Sequence, residues 1–289
     1  MTAQTSYTLI NPNTQGLAFE LFSFEDDQYF REAKRHGHYS LLFITEGGGR
    51  LKADFSTYQF QAPALLCFSV YQPFTISAEN GLKGILIHFH PDFFCIHKHQ
   101  EEVACSGVLF NNIYEPPVLQ LKATEMEQLL TIVSHLKAEI SRPELAQYEL
   151  MVSYLKILLI NASRYKINGR PDIALSSSKE PFILKTLKDA IEEYYKTKHR
   201  AGQYAELLNI STKALNKLAT THFSRTLTDL INERIMIEAK RELYLTEKPV
   251  KAIAYALGFN DEFYFSRFFK ANARVSPQIY RTTVGFGRG

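Results

Sequence analysis

Cysteine is scarce: Cys67, Cys95 and Cys105 are scattered and odd in number, which argues against a disulfide framework and for reduced, buried thiols. No 18-residue apolar run occurs and no cationic, apolar leader opens the chain. Neither a membrane partner nor export is expected, and the chain is placed in the cytoplasm. Also missing are a phosphate-cradling glycine motif and the local signature of a Ser/His/Asp site; Gly47-Gly48-Gly49 reads as a turn between strands. No catalytic residues, no metal and no cofactor are therefore expected, and the chain is read as a non-enzyme. What is present is ordinary globular material, 45% hydrophobic and 22% charged over 289 residues, long enough for two domains with separate cores. The net charge of +3 hides an asymmetry. Residues 179–289 hold 19 Lys/Arg against 12 Asp/Glu, net +7, and residues 1–178 hold 14 against 18, net −4. A basic half of this kind suits a domain that follows a phosphate backbone.

That half carries the clearest pattern. Val250, Ile253, Ala254 and Leu257 recur at 0, 3, 4 and 7, one stripe of an amphipathic helix. Gly258 is suited to the left-handed conformation past a helix end, and Phe259 can fill the angle between two helices. Asn260 or Asp261 can cap the next helix, with Tyr264, Phe265, Phe268 and Phe269 on its buried side. Glu262, Phe263, Ser266, Arg267 and Lys270 are left towards solvent or a groove. Ser276 and Pro277 open a last short helix. The spacing predicts a helix-turn-helix.

The pattern occurs once before, about fifty residues upstream, with Leu207, Leu208, Ile210, Leu215 and Leu218 as its apolar set. Ser211 or Thr212 caps a helix showing Lys213, Asn216 and Lys217, and Lys217 and Arg267 hold equivalent places. Between the copies, Leu227, Leu230, Ile231 and Ile235 mark a long helix that can space two recognition helices, since neighbouring major-groove windows on one face of B-DNA lie about 34 Å apart. Arg267 suits a guanine edge, Asn216 an adenine, Phe263 a thymine methyl and Glu262 a cytosine amino group; Lys213, Lys217 and Lys270 suit bases or phosphates. Surface Lys and Arg are usually only solvated, and Glu262 would also oppose the helix dipole. The placement of the charges on the open side of each second helix favours a groove.

Residues 182–281 resemble the DNA-binding domain of the AraC/XylS family of bacterial transcription regulators. The likeness rests on Ala205, Leu215 and Phe223, on Arg234, Ala239 and Lys240, and on Ile253, Ala254, Gly258, Phe259, Phe265 to Arg267, Phe269, Lys270, Pro277, Tyr280 and Arg281. Arg274 and Ser224 stand where that family usually has glycine. The resemblance implies double-stranded promoter DNA as partner, contact with RNA polymerase, activation rather than repression, and a homodimer.

The other half alternates short β-rich runs, 40–45, 64–70 and 84–90, with Gly and Pro punctuation, as in a barrel or jelly roll. Residues 123–141 and 144–167 read as two helices, with Met126, Leu129, Leu130, Val133 and Leu136 on the first and Leu145, Tyr148, Val152, Leu155 and Leu159 on the second. The expected architecture is α+β and multidomain: a cupin-like effector-binding β-barrel at 1–122, a dimerising helical hairpin at 123–168, a linker at 169–181, and a double helix-turn-helix domain at 182–283.

The barrel resembles the small cupin-type domain many such regulators use to bind a small-molecule effector, for which His36, His38, Phe43, Phe74 and His88 are the candidates. Leu42 stands where a metal-dependent cupin has its Glu ligand, and Phe74 where it has a later His, so a catalytic metal site is disfavoured. A second cluster, Cys95, His97, His99 and Cys105, would share soft ligands for a metal- or redox-sensing regulator if 95–99 were extended. Buried thiols and hydrogen-bonded barrel histidines are the plainer reading. A cupin-type enzyme with a DNA-binding tail and a constitutive DNA-binding protein are the remaining alternatives.

Overall fold

Alternation decides which face of the sheet each strand residue meets, and over Ala64–Phe68 both faces are buried. In the computed structural model, which describes residues 6–169 and 182–284 apart from 12–13, 33–35, 55, 97–98, 100–102, 104–106 and 143, seven strands form one antiparallel sheet. They are β1 (Ser6–Ile10), β2 (Leu17–Phe24), β3 (Tyr39–Ala53), β4 (Ser56–Gln61), β5 (Ala64–Phe68), β6 (Phe74–Phe89) and β7 (Val118–Gln120). Their order is β1-β2-β6-β3-β5-β7, with β4 on the far half of β3. The long β3 and β6 pair along most of their length, and β3 shares its other edge between β5 and β4. Phe22 and Phe24 from β2, Leu42 and Ile44 from β3, Leu66 and Phe68 from β5, and Phe74 and Leu86 from β6 all enter one buried cluster. A sheet whose one face converges on a single core is curled, as in a cupin-like barrel.

Gly47-Gly48-Gly49 is not a turn. The triplet lies inside β3, where the register to β6 shifts between Ile44 and Glu46 and again between Gly47 and Gly49. Gly47 has φ of 83°, and a Cβ there would collide with the Gly81 carbonyl of β6. Glycine thus lets two irregular strands close up where the sheet bends.

Helices α1 (Ala123–Ser141) and α2 (Gln147–Asn168) pair as a hairpin, burying Met126, Leu129, Val133 and Leu136 against Met151, Leu155, Leu158 and Leu159. Leu145 was expected on the inner stripe but is 99% exposed, because α2 starts two residues beyond it. Sheet and hairpin form one compact unit. Of the linker expected at 169–181, all but Gly169 lies outside the described residues.

The second unit takes in 182–284 together with Ile113–Glu115. It holds α3 (Phe182–Tyr194), α4 (Ala201–Leu207), α5 (Thr212–Phe223), α6 (Leu227–Leu245), α7 (Val250–Ala256), α8 (Glu262–Ala273) and α9 (Pro277–Val284). Helix α6 packs against all six others, and its Leu227, Leu230, Ile231, Ile235, Ala239 and Leu243 are buried. Its start is fixed by a reciprocal cap: Thr226 Oγ1 accepts from Asp229 N at 3.1 Å, and Asp229 Oδ2 accepts from Thr226 N at 3.2 Å. Arg234 ties α6 to α3, donating to Glu192 at 2.7 Å and lying 3.9 Å over the Tyr195 ring. Among the described residues, no helix is long and apolar enough to cross a membrane.

Candidate nucleic-acid interface and barrel mouth

Two helix-turn-helix units are built alike. In the first, Leu208 caps the end of α4, Asn209 turns with φ of 53°, and Ile210 N donates back to Ala205 O at 3.0 Å. In the second, Leu257 caps the end of α7, Gly258 turns with φ of 80°, and Phe259 N donates to Ala254 O at 3.0 Å. Each following helix is capped by a side chain. Ser211 accepts from Ala214 N at 3.2 Å, and Asp261 accepts from Phe263 N at 3.2 Å and Tyr264 N at 2.8 Å. Phe259 fills the angle as expected, its ring 5.2 Å from those of Phe265 and Phe268.

The second helices turn basic side chains outward. On α5, Leu215, Ala219 and Phe223 are buried while Lys213 and Lys217 are exposed. On α8, Phe265, Phe269 and Ala273 are buried while Phe263, Arg267 and Lys270 are exposed. Glu262 and Ser266 are half-buried. Asn216 points elsewhere than the sequence suggested: half-buried, its Oδ1 accepts from Leu227 N at 3.0 Å and satisfies a free amide at the start of α6. Tyr264, expected on the buried side, is 57% exposed beside Phe263 at 76%. Helix α6, at 19 residues about 28 Å long, stands between the two units.

In the first compact unit, cross-strand register brings histidines together. Ser40 faces His88 across β3 and β6, and Glu20 of β2 faces His88 from the other side. His36 lies 4.5 Å and His38 6.2 Å from His88 between ring centroids, and His38 lies 5.2 Å from His90. His38 Nε2 donates to Leu17 O at 2.9 Å, and His88 Nδ1 bonds Ser40 Oγ at 2.9 Å. Burial is the main cause that lowers the His38 pKa to about 4; the Leu17 bond opposes this, and His90 and His36 add to it. The imidazole is therefore neutral near pH 7. Tyr29, stacked 6.4 Å from His36, is pushed up to about 12 by burial and then by Glu20.

His36, His38 and His88 thus gather as a polar cluster, with His88 buried. Phe74 instead belongs to the core below, stacked 3.8 Å from Phe68, and Phe43 lies on the opposite face of β3 from Leu42 and Ile44, outside that cluster. Of the Cys/His cluster, the described Cys95 and His99 are not on an extended strand. His99 N donates to Cys95 O at 3.2 Å and Val103 N to His99 O at 2.9 Å, the i to i+4 spacing of helical turns. Cys67 and Cys95 are buried and not joined in a disulfide. His97 and Cys105 lie outside the described residues, among which no group of three or more His, Cys, Asp or Glu could hold a metal ion.

Comparison with known proteins matches both halves. Residues 204–283 match the family model for a helix-turn-helix domain, and residues 16–98 match that for an AraC-like ligand binding domain. The chain belongs to the AraC/XylS family. Among its relatives, the raffinose operon transcriptional regulatory protein RafR of Pediococcus pentosaceus is 30% identical over 95 residues, 33% of this chain and 34% of RafR. The uncharacterized HTH-type transcriptional regulator YijO of Escherichia coli is 28% identical over 106 residues, 37% of this chain and 38% of YijO. Each match spans little more than a third of the curated relative. Among solved structures, the C-terminal domain of AraT from Geobacillus stearothermophilus is 26% identical with a TM-score of 0.36, covering 38% of this chain and 91% of that one. ToxT of Vibrio cholerae is 15% identical with a TM-score of 0.41, covering 92% and 98%.

In this AraC/XylS-family chain the two departures from the family pattern have a structural outcome. Ser224 and Arg274 close α5 and α8 in the left-handed conformation, φ 56° and 65°, so side chains occupy a conformation that glycine adopts without strain. Two features escaped sequence reasoning. Tyr264 carries no mark that separates it from its buried aromatic neighbours, and His90, 5.2 Å from His38, was not counted with the effector candidates His36, His38 and His88 that it joins. The alternation of His36, His38, His88 and His90 was the one available signal, since equal parity on paired strands places side chains on one face.

Proposed function

We propose that this chain is a ligand-responsive, sequence-specific DNA-binding transcription regulator that acts as an activator on promoter DNA. The observation that carries the reading is the pair of capped helices, α5 and α8, each presenting two basic side chains to solvent opposite a buried apolar face: Lys213 and Lys217, Arg267 and Lys270. The spacing along α6 suits two neighbouring major-groove windows. The His36, His38 and His88 cluster is the candidate place for a small-molecule effector, whose binding must favour one arrangement of the DNA-binding units to have any effect. Exposed Leu150, Ile157 and Ile167 on α2 suit pairing of two copies through the hairpin. RNA polymerase is the partner through which activation would work.

Selection from a library of random duplexes at two salt concentrations tests the reading. The expected outcome is a motif with two half-sites about 10 base pairs apart. Binding that is sequence-blind and vanishes with salt would sink it, because phosphate contacts alone give that behaviour.

A further inference from the structure

The two recognition helices have the same frame but not the same chemistry. At corresponding places, fifty residues apart, α5 has Lys213, Ala214, Asn216, Lys217 and Thr220, and α8 has Phe263, Tyr264, Ser266, Arg267 and Lys270. Reading an adenine edge needs an amide that accepts through its oxygen and donates through its nitrogen. On α5 the one amide has its oxygen committed to Leu227 N, and Thr220 Oγ1 donates to Asn216 O at 2.8 Å. At these places α5 leaves outward two ammonium groups and small side chains, with His222 exposed only in its last turn. An ammonium is a compact point charge on a flexible stem and meets a phosphate as readily as a base. Helix α8 exposes Arg267, whose planar fork matches the O6 and N7 of guanine, next to Phe263 and Tyr264, whose rings can lie against thymine methyl groups.

Resting on the DNA-binding reading above, we propose that the two units read DNA unequally: α8 supplies base discrimination through Arg267, Phe263 and Tyr264, while α5 holds the phosphate backbone through Lys213 and Lys217. Asn216 is a positioning residue that joins α5 to the start of α6. The preferred operator then has one informative half-site, containing a guanine with neighbouring thymines, and one permissive half-site.

The test uses the full-length protein and every single-base variant of the duplex it selects. With the unaltered protein, changes in the half-site under α8 should weaken binding about 5- to 150-fold each, and changes in the other half-site less than about 3-fold. Arg267→Ala identifies the α8 half-site by erasing preference at one guanine. The double variant Lys213→Ala, Lys217→Ala should weaken binding equally on all sequences and lower the slope of log affinity against log salt by about 2. Asn216→Ala should lower thermal stability and leave base preference intact, and Asn216→Asp, which keeps the acceptor, should recover the stability. Equal information in both half-sites would overturn the proposal while leaving DNA recognition standing, as would loss of preference at one base pair in the lysine variant or a changed base preference in Asn216→Ala. A protein that selects no sequence overturns the DNA-binding reading itself, and the proposal with it.

Discussion

The two helix-turn-helix units show how one backbone frame is kept by different means. Each turn has a left-handed residue, but it is Asn209 in the first and Gly258 in the second. The difference is outside the motif: the turn after α3 brings the Lys196 carbonyl against Gly258, where any Cβ would collide with it. After α5 the chain carries Arg225, 5% exposed, which pairs with Glu233 and donates to the Ile113 carbonyl at 3.2 Å. The corresponding residue after α8 is Val275, half-buried. The first unit is thus anchored by a buried ion pair and the second by close backbone packing and aromatic rings. Similar geometry does not imply similar tolerance.

The largest contrast is expected at those anchors. Arg225→Ala leaves Glu233 largely buried without its cation and should cost about 3–5 kcal/mol in chemical denaturation. Val275→Ala should cost less than about 1.5 kcal/mol, since its side chain is only half-buried. Equal losses would remove the distinction between the two anchors. Next comes the turn. Gly258→Ala combines a left-handed alanine with a backbone collision and should cost about 2–4 kcal/mol, whereas Asn209→Gly should change stability by no more than about 1 kcal/mol. Thermal melts of both variants decide this, and a tolerated alanine at 258 would mean that the turn after α3 can retreat.

The caps offer a finer comparison. Asp261 accepts from two amides and adds negative charge at the start of α8, so Asp261→Ala should cost about 1–2 kcal/mol. Ser211→Ala, losing one hydrogen bond, should cost about 0.5–1 kcal/mol. At the other ends, Ser224→Gly and Arg274→Gly should each stabilise by up to about 1 kcal/mol by relieving left-handed strain; a loss at either would show that the side chain has a compensating role.

The smallest effect is one of pH and should touch only the second unit. His199 packs 4.8 Å from Phe259, and burial, opposed by backbone hydrogen bonds, holds its pKa below the usual value of 6.5. The folded form thus binds protons less readily than the unfolded one. Its stabilising contribution is complete above about pH 6.5 and declines as pH falls towards the lowered folded value. Amide exchange at pH 7 and pH 5 should show faster opening around Phe259 in acid and little change around Ile210; a uniform change would exclude this histidine as the cause.

Much of the helical half was legible because its signals are local. Periodicity located the buried stripes of α6 and α7, and the choice between neighbouring cap residues needed only the hydrogen-bond geometry at Ser211 and Asp261. The barrel was harder. β1 left no pattern strong enough to separate it from loop, and the glycine triplet reads locally as a turn although its pairing with β6 makes it strand. Within the candidate interface, the basic residues were legible as outward-facing, but the fates of Asn216 and Tyr264 were not, because each depends on a neighbour distant in sequence or on which side of a helix the core happens to close.

The sequence by itself determined the double helix-turn-helix, the residue pairs from which its caps come, the left-handed turn at Gly258 and the family, because these follow from spacing and from conformational preferences that act within a few residues. Only the tertiary structure decided that Asn216 serves Leu227, that Tyr264 faces outward, that β3 runs through its glycines and that His36, His38, His88 and His90 meet. Those outcomes depend on long-range pairing, in which a donor, a register or a ring from far along the chain selects among local options of nearly equal energy.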